Sequence, residues 1–247
     1  MRTLFRGLWR WLVLVAVALL LLQLFFVARI ACMATVNPQS TAFERSEAWR
    51  ILSDKGRLPW RQQWVDYEQI SDHLKRAVIA SEDDGFSNHD GVDWDALEKA
   101  WQKNAKAEAQ VAKKAASGVK VIKPPKVVGG STITQQLAKN LFLSGERTLL
   151  RKGQELVLTY LLEKLLDKER ILALYLNHVE WGEGIFGAEA AAQHYFRKSA
   201  AKLSPLESAR LAVMLPRPKY FEKLPNSSYL AERSAVIATR LWRAELP

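Results

Sequence analysis

A chain of 247 residues that is 49% hydrophobic has enough apolar material for a packed core and a length suited to one or two domains, which excludes wholesale disorder. Its 36 basic and 26 acidic residues leave a formal charge of +10, a surplus that suits anionic lipid head groups or a phosphorylated substrate. Cys32 is the single cysteine, so an intrachain disulfide is excluded; a buried, inert thiol is expected there, with acylation at the membrane edge as the alternative.

In chain order, the first element is an apolar helix. From Trp11 to Ala28 eighteen residues carry no charge, and at about 1.5 Å per residue they cross most of a hydrocarbon layer about 30 Å thick. A cleaved signal peptide would have a shorter apolar region and a small-residue cleavage site, whereas this run is long and is followed by Arg29. Arg2, Arg6 and Arg10 precede it without a compensating acid. The expectation is an uncleaved anchor with a cytoplasmic N-terminus and everything after about Ile30 outside, a topology that argues against nucleic acid as a partner.

Residues 35–70 read as a juxtamembrane stretch broken by Asn37, Pro38, Gly56 and Pro59, with Trp49, Trp60 and Trp64 either at the bilayer interface or over the core. An apolar helix pattern at Leu74, Ala77, Val78 and Ala80 then runs into "EDDGFSNHDG" from Glu82. Three successive acids repel one another, and one shielded from water is disfavoured in its charged form, which is a route to a general base. A solvated acidic helix end is the plain alternative. His89 reads as a hydrogen-bonding residue that steadies the loop.

Asp93 is a suitable cap for a helix reaching Ser117, which turns Ala- and Lys-rich. Lysines 103, 106, 113, 114, 120, 123 and 126 make a basic lip, either a solvated loop or a mobile lipid-facing rim. "GGSTITQQLAKN", Gly129–Asn140, has a capping box at Thr132 and Gln135, with Ile133, Leu137 and Leu141 on one helix face and Gln136, Lys139 and Asn140 off it. Such a helix start can receive a phosphate. A helix over about 148–166 places Arg151 and Lys152 one turn before Glu155, as surface pairs or as cations aligned on a ligand. Further helices are expected near 171–177, 188–196, 204–212 and 227–244, with a glycine-rich loop at "HVEWGEGIFG" and a capping box at Ser204 and Glu207. No alternation is long enough for a sizeable sheet, so the chain reads as all-α.

These stretches together resemble the monofunctional biosynthetic peptidoglycan glycosyltransferases of glycosyltransferase family 51. EDxxFxxHxG is met by Glu82, Asp83, Phe86, His89 and Gly91, "GGSTITQQLAKN" is met without a gap, and RKxxE is met by Arg151, Lys152 and Glu155. "YLNHVEWGEGIFG" from Tyr175 and "EAAAQHYFRK" from Glu189 resemble the remaining two patterns. The stretch between the first two patterns is longer than is usual.

The resemblance implies an all-helical, lysozyme-like glycosyltransferase domain with a smaller membrane-proximal jaw. The layout it suggests is a cytoplasmic end at 1–10, a membrane helix at 11–30, a juxtamembrane segment at 31–70 and the catalytic domain at 71–247, periplasmic and anchored in a bacterial inner membrane. It implies polymerisation of lipid II, with Glu82 as general base and Glu155 positioning the second site. Substrate contacts would come from Asp83, Phe86, Ser131, Gln135, Gln136, Lys139, Arg147, Arg151 and Lys152. Partners implied are lipid II, the nascent glycan chain, membrane lipids and other cell-wall synthesis and division proteins. No protein-held metal is expected, since His73, His89, His178 and His194 lack a ligand spacing, although Mg2+ or Mn2+ at the diphosphate is compatible. Independently of the family, a diphosphate leaves as a stable anion and calls for clustered cations, whereas a glycosidase needs a neutral carboxyl. Ser199–Lys202 matches SxxK but has no KTG partner, so the chain should link sugars without crosslinking peptides.

Overall fold

The computed structural model describes residues 2–117, 129–146 and 148–247. Arg147 and lysines 120, 123 and 126, expected in the substrate site and the basic lip, lie outside the described residues. Helix α1, Arg2–Cys32, continues the apolar run at both ends, and its Phe5–Cys32 stretch is long and apolar enough to cross a membrane, with a mean hydropathy of 2.8. Its far end is different: Ile30 and Met33 are buried in the domain core. Cys32 is exposed on this helix, contrary to the expectation of a buried thiol.

The juxtamembrane stretch is more ordered than its breakers suggest. Thr41 and Glu44 form a reciprocal capping box that opens α2, Ala42–Lys55, and Gly56 closes it in the left-handed conformation. Strand β1, Arg61–Gln62, follows, and Trp60 stacks on Phe186 with ring centroids 4.5 Å apart. Trp49 is exposed. Next come α3, Asp72–Glu82, and α4, Trp94–Ala116, the latter started by Asp93, whose carboxylate accepts from the Ala96 N–H at 2.8 Å.

Helix α5, Ile133–Phe142, lies at the centre. Its Ile133, Leu137 and Leu141 face is buried as the spacing requires, and it packs against α2, α6 (Leu149–Leu165) and α7 (Lys168–His178). The glycine-rich loop contains a hairpin, β2 at Glu180–Gly182 and β3 at Ile185–Phe186, and β1 joins β3 in parallel with Arg61 opposite Ile185. Gly184, at φ 75°, has no room for a side chain, because a Cβ would stand 2.0 Å from the Pro59 carbonyl oxygen.

The chain closes with α8 at Ala188–Phe196, α9 at Pro205–Met214, α10 at Pro218–Glu222 and α11 at Ser228–Arg240. The capping box of Ser204 and Glu207 is present at the start of α9. Helices α3, α9 and α11 pack together, and the fully buried Trp181 donates its indole N–H to the Leu211 carbonyl of α9 at 3.1 Å. Ser199 caps one 3-10 turn, Ala200–Lys202. The protein is thus all-α with a minimal sheet, and one apolar N-terminal helix precedes the packed helical domain.

Candidate active site

The last turn of α3 delivers Glu82 to the side of α5. Gln136, one turn into α5, donates from Nε2 to Glu82 Oε2 at 3.0 Å, and the Tyr175 hydroxyl donates to Gln136 Oε1 at 3.0 Å. Because the hydroxyl claims the amide oxygen, the amide NH2 is turned toward the carboxylate. Burial, with the Glu82 and Asp83 charges, holds the Tyr175 proton well above its ordinary range, so the hydroxyl stays a donor. Glu82 keeps some surface open, yet burial pushes its carboxyl above the usual carboxylate range; the Gln136 bond opposes this and the Asp83 charge adds to it.

Beside Gln136 opens a cleft of about 290 Å³ between α5 and the start of α6. Ser131, Gln135, Gln136 and Lys139 line one wall, and Arg151, Lys152 and Glu155 line the other. Asn140, expected off the apolar face of α5, also reaches it, and so does Phe43 of α2, for which no sequence motif speaks. Thr148 caps α6 through the Arg151 N–H at 3.2 Å. Arg151 donates to Glu155 Oε2 at 2.9 Å and Lys152 pairs with Oε1. The Glu155 side chain is only 4% exposed, so the two cations hold it and it holds them. Arg151 Nε–H, although buried, has no acceptor among the described residues. Among the described lining residues, Lys139, Arg151 and Lys152 against Glu155 give the cleft a surplus of positive charge.

Glu82 does not itself line this cleft; it meets it through Gln136. Two expected substrate contacts are placed differently. Phe86 is fully buried, and the Asp83 carboxylate is occupied on both sides, by His89 Nε2 at 2.9 Å and by the Ile133 backbone N–H at 2.9 Å. His89 Nδ1 accepts from the Gly91 N–H at 3.1 Å, so Nε2 carries the ring proton toward Asp83. Thr132 Oγ1 donates to the Gly91 carbonyl at 2.6 Å, a second tie between the two loops. Asp83 and Phe86 therefore shape the wall behind Glu82 without facing the cleft.

A family model described as transglycosylase matches residues 53–241, three quarters of the chain. The chain belongs to the transglycosylase family. It is 54% identical over 233 residues to a protein of Paraburkholderia xenovorans (strain LB400), covering 94% of this chain and 90% of that one. It is 52% identical over 250 residues to one of Burkholderia thailandensis, covering 100% and 91%, and 52% identical over 239 residues to one of Herminiimonas arsenicoxydans, covering 96% of both. Each of these relatives is named a biosynthetic peptidoglycan transglycosylase.

In this transglycosylase the cleft does not fit a divalent ion held by protein. Its carboxylate, Glu155, is taken up by two cations, and among the described residues no three His, Cys, Asp or Glu side chains gather. The donor set suits an anion. Tyr175 opens the fourth motif, but its hydrogen bond to Gln136 depends on how α7 crosses α5 and is not legible in the sequence.

Proposed function

We propose that this transglycosylase polymerises peptidoglycan by transferring the growing glycan from undecaprenyl diphosphate to the 4-hydroxyl of lipid II. The single observation that carries the reading is a carboxylate with its proton affinity raised, joined through one oriented amide to a cleft with three cations. The acceptor hydroxyl gives its proton to Glu82 as its oxygen forms a bond to the donor's anomeric carbon. The bond from that carbon to the diphosphate breaks with its electron pair going to the leaving oxygen, and attack from the opposite side inverts the centre to a β-1,4 link.

Lys139, Arg151, Lys152 and the unoccupied donor of Arg151 Nε receive the departing charge, which needs no protonated acid. Glu155 keeps Arg151 and Lys152 aligned on it. Ser131 and Gln135 line the same wall and would bind the substrate's polar groups.

Helix α1 suits a single-pass anchor, and Arg2, Arg6 and Arg10 support a cytoplasmic N-terminus with the catalytic domain outside. Residues 1–10 would be cytoplasmic and 11–30 would cross the bilayer, while the domain expected at 71–247 takes in α2 and β1 of the preceding segment, which pack on α5 and pair with β3. The test is lipid II as sole substrate. Polymer without any added glycan supports the reading; consumption of pre-made glycan alone would make the protein a lytic enzyme.

A further inference from the structure

Gln23 is the only residue with an amide, hydroxyl or charged side chain between Trp11 and Ala28. In hydrocarbon an amide has no water to bond, so it is costly there unless protein meets it. Here it is met twice. Gln23 Nε2 donates to Gln154 Oε1 at 3.1 Å, and Gln154 Nε2 donates back to Gln23 Oε1 at 3.2 Å. The two amides close a ring in which each satisfies the other.

Gln154 sits on α6 directly before Glu155, within one turn of Arg151 and Lys152. The anchor is fixed a second time further on. Phe26 meets Phe142 edge-on with centroids 5.4 Å apart, Ile30 and Met33 are in the core, and Arg170 donates to the Met33 carbonyl at 2.7 Å. The attachment at Ile30 sets where the helix joins the domain. The attachment at Gln23, about 10 Å earlier along the axis, sets its lean.

We infer that the Gln23–Gln154 pair is a positioning device that fixes the height of α6, and with it Glu155 and its two cations, against the membrane-crossing helix. The inference rests on the reading of a lipid-linked substrate, whose diphosphate lies at one depth in the bilayer. A cleft held at that depth meets it without having to search. Leu149 and Leu150, 91% and 88% exposed at the start of α6, are apolar surface left open among the described residues. They provide a place to read the depth.

The experiment uses the full chain with Gln23→Leu, Gln154→Leu and both together. Polymerisation of lipid II is measured in bilayers and in detergent micelles. A nitroxide at Leu149→Cys, in a Cys32→Ser background, reports depth in lipid vesicles from its relaxation by oxygen against a water-soluble nickel chelate. Each single change should slow the bilayer reaction about threefold or more, as expected for an interhelical amide pair. The double change should be no slower than the worse single. Rates in micelles, which present no planar boundary, should stay near wild type, and the probe depth should shift.

Equal losses in micelles and bilayers would assign the pair to stability alone and overturn the inference, as would additive losses or an unmoved probe. Probe depth requires no turnover, so failure of the pair and failure of the proposed reaction are read separately.

Discussion

Asp83 Oδ2 accepts the backbone N–H of Ile133, the first residue of α5, at 2.9 Å across a gap of 50 residues. The acid next to the proposed base is thus a helix cap supplied from another element, and it locks the end of α3 to the start of α5. Glu82 and Gln136 meet because this joint holds.

Replacing Asp83 tests the joint. Asp83→Asn cannot accept from both Ile133 and His89, so one donor is stranded in a buried position. The expected cost is about 2 kcal/mol, seen as a melting temperature lower by about 4–8 °C. Adding His89→Gln to Asp83→Asn should cost less than the sum of the two, since both changes remove one contact.

Tyr175→Phe removes the donor that orients Gln136. With the amide free to turn, its carbonyl can face Glu82 and favour the protonated carboxyl further. The rising limb of kcat/KM against pH should move to higher pH, with a loss of about tenfold at neutral pH. A shift in the limb distinguishes this from a general loss of fold.

The two cations beside Glu155 should separate by exposure. The Lys152 side chain is half exposed and the Arg151 side chain 16%. Lys152→Gln should raise KM for lipid II about threefold to tenfold with little change in melting temperature. Arg151→Gln should raise KM and also destabilise by about 1–3 kcal/mol, because Glu155 then keeps a single partner in a buried site.

Glu180 gives a pH signature of stability away from the cleft. Burial raises its pKa to about 7, and this outweighs the attraction of Lys219 Nζ at 3.1 Å. Below the ordinary glutamate value of 4.5 the group is protonated folded and unfolded, and contributes nothing to pH dependence. Between there and about 7 the folded chain keeps a proton that the unfolded chain releases, so stability falls as pH rises, by about 3 kcal/mol in total. Glu180→Gln should flatten the slope of melting temperature from pH 5 to 7.5.

The helices were legible in the sequence where apolar spacing and caps coincide, as at Thr132 with Gln135 and Ser204 with Glu207. Helix α2 carries the same signal in Thr41 and Glu44, but Asn37, Pro38, Gly56 and Pro59 frame it closely and make the segment read as a linker. The hairpin at 180–186 was hidden because its strands are two and three residues long, too short for alternation. In the site, the residue types around Glu82 and Glu155 point to a base and a cation bed, but sequence does not tell an acid that faces a substrate from one that caps a distant helix. Asp83 and Phe86 enter the expected site only as members of the Glu82 motif, while the one caps α5 and the other is fully buried. Tyr175 and Phe43 were missed because their contributions come from how α7 and α2 lie against α5.

In the proposed reaction Glu82 removes the acceptor's proton. Glu82→Gln keeps an oxygen to accept from Gln136, so the wall should stand and lipid II should bind as in the wild type. Measured together, lipid II binding and polymerisation by the two proteins across pH decide the matter. Binding should be unchanged, polymerisation should slow about a hundredfold or more, and the wild-type rate should rise with pH through a value above the ordinary carboxylate range. Polymerisation by Glu82→Gln at the wild-type rate would show that another group takes the proton.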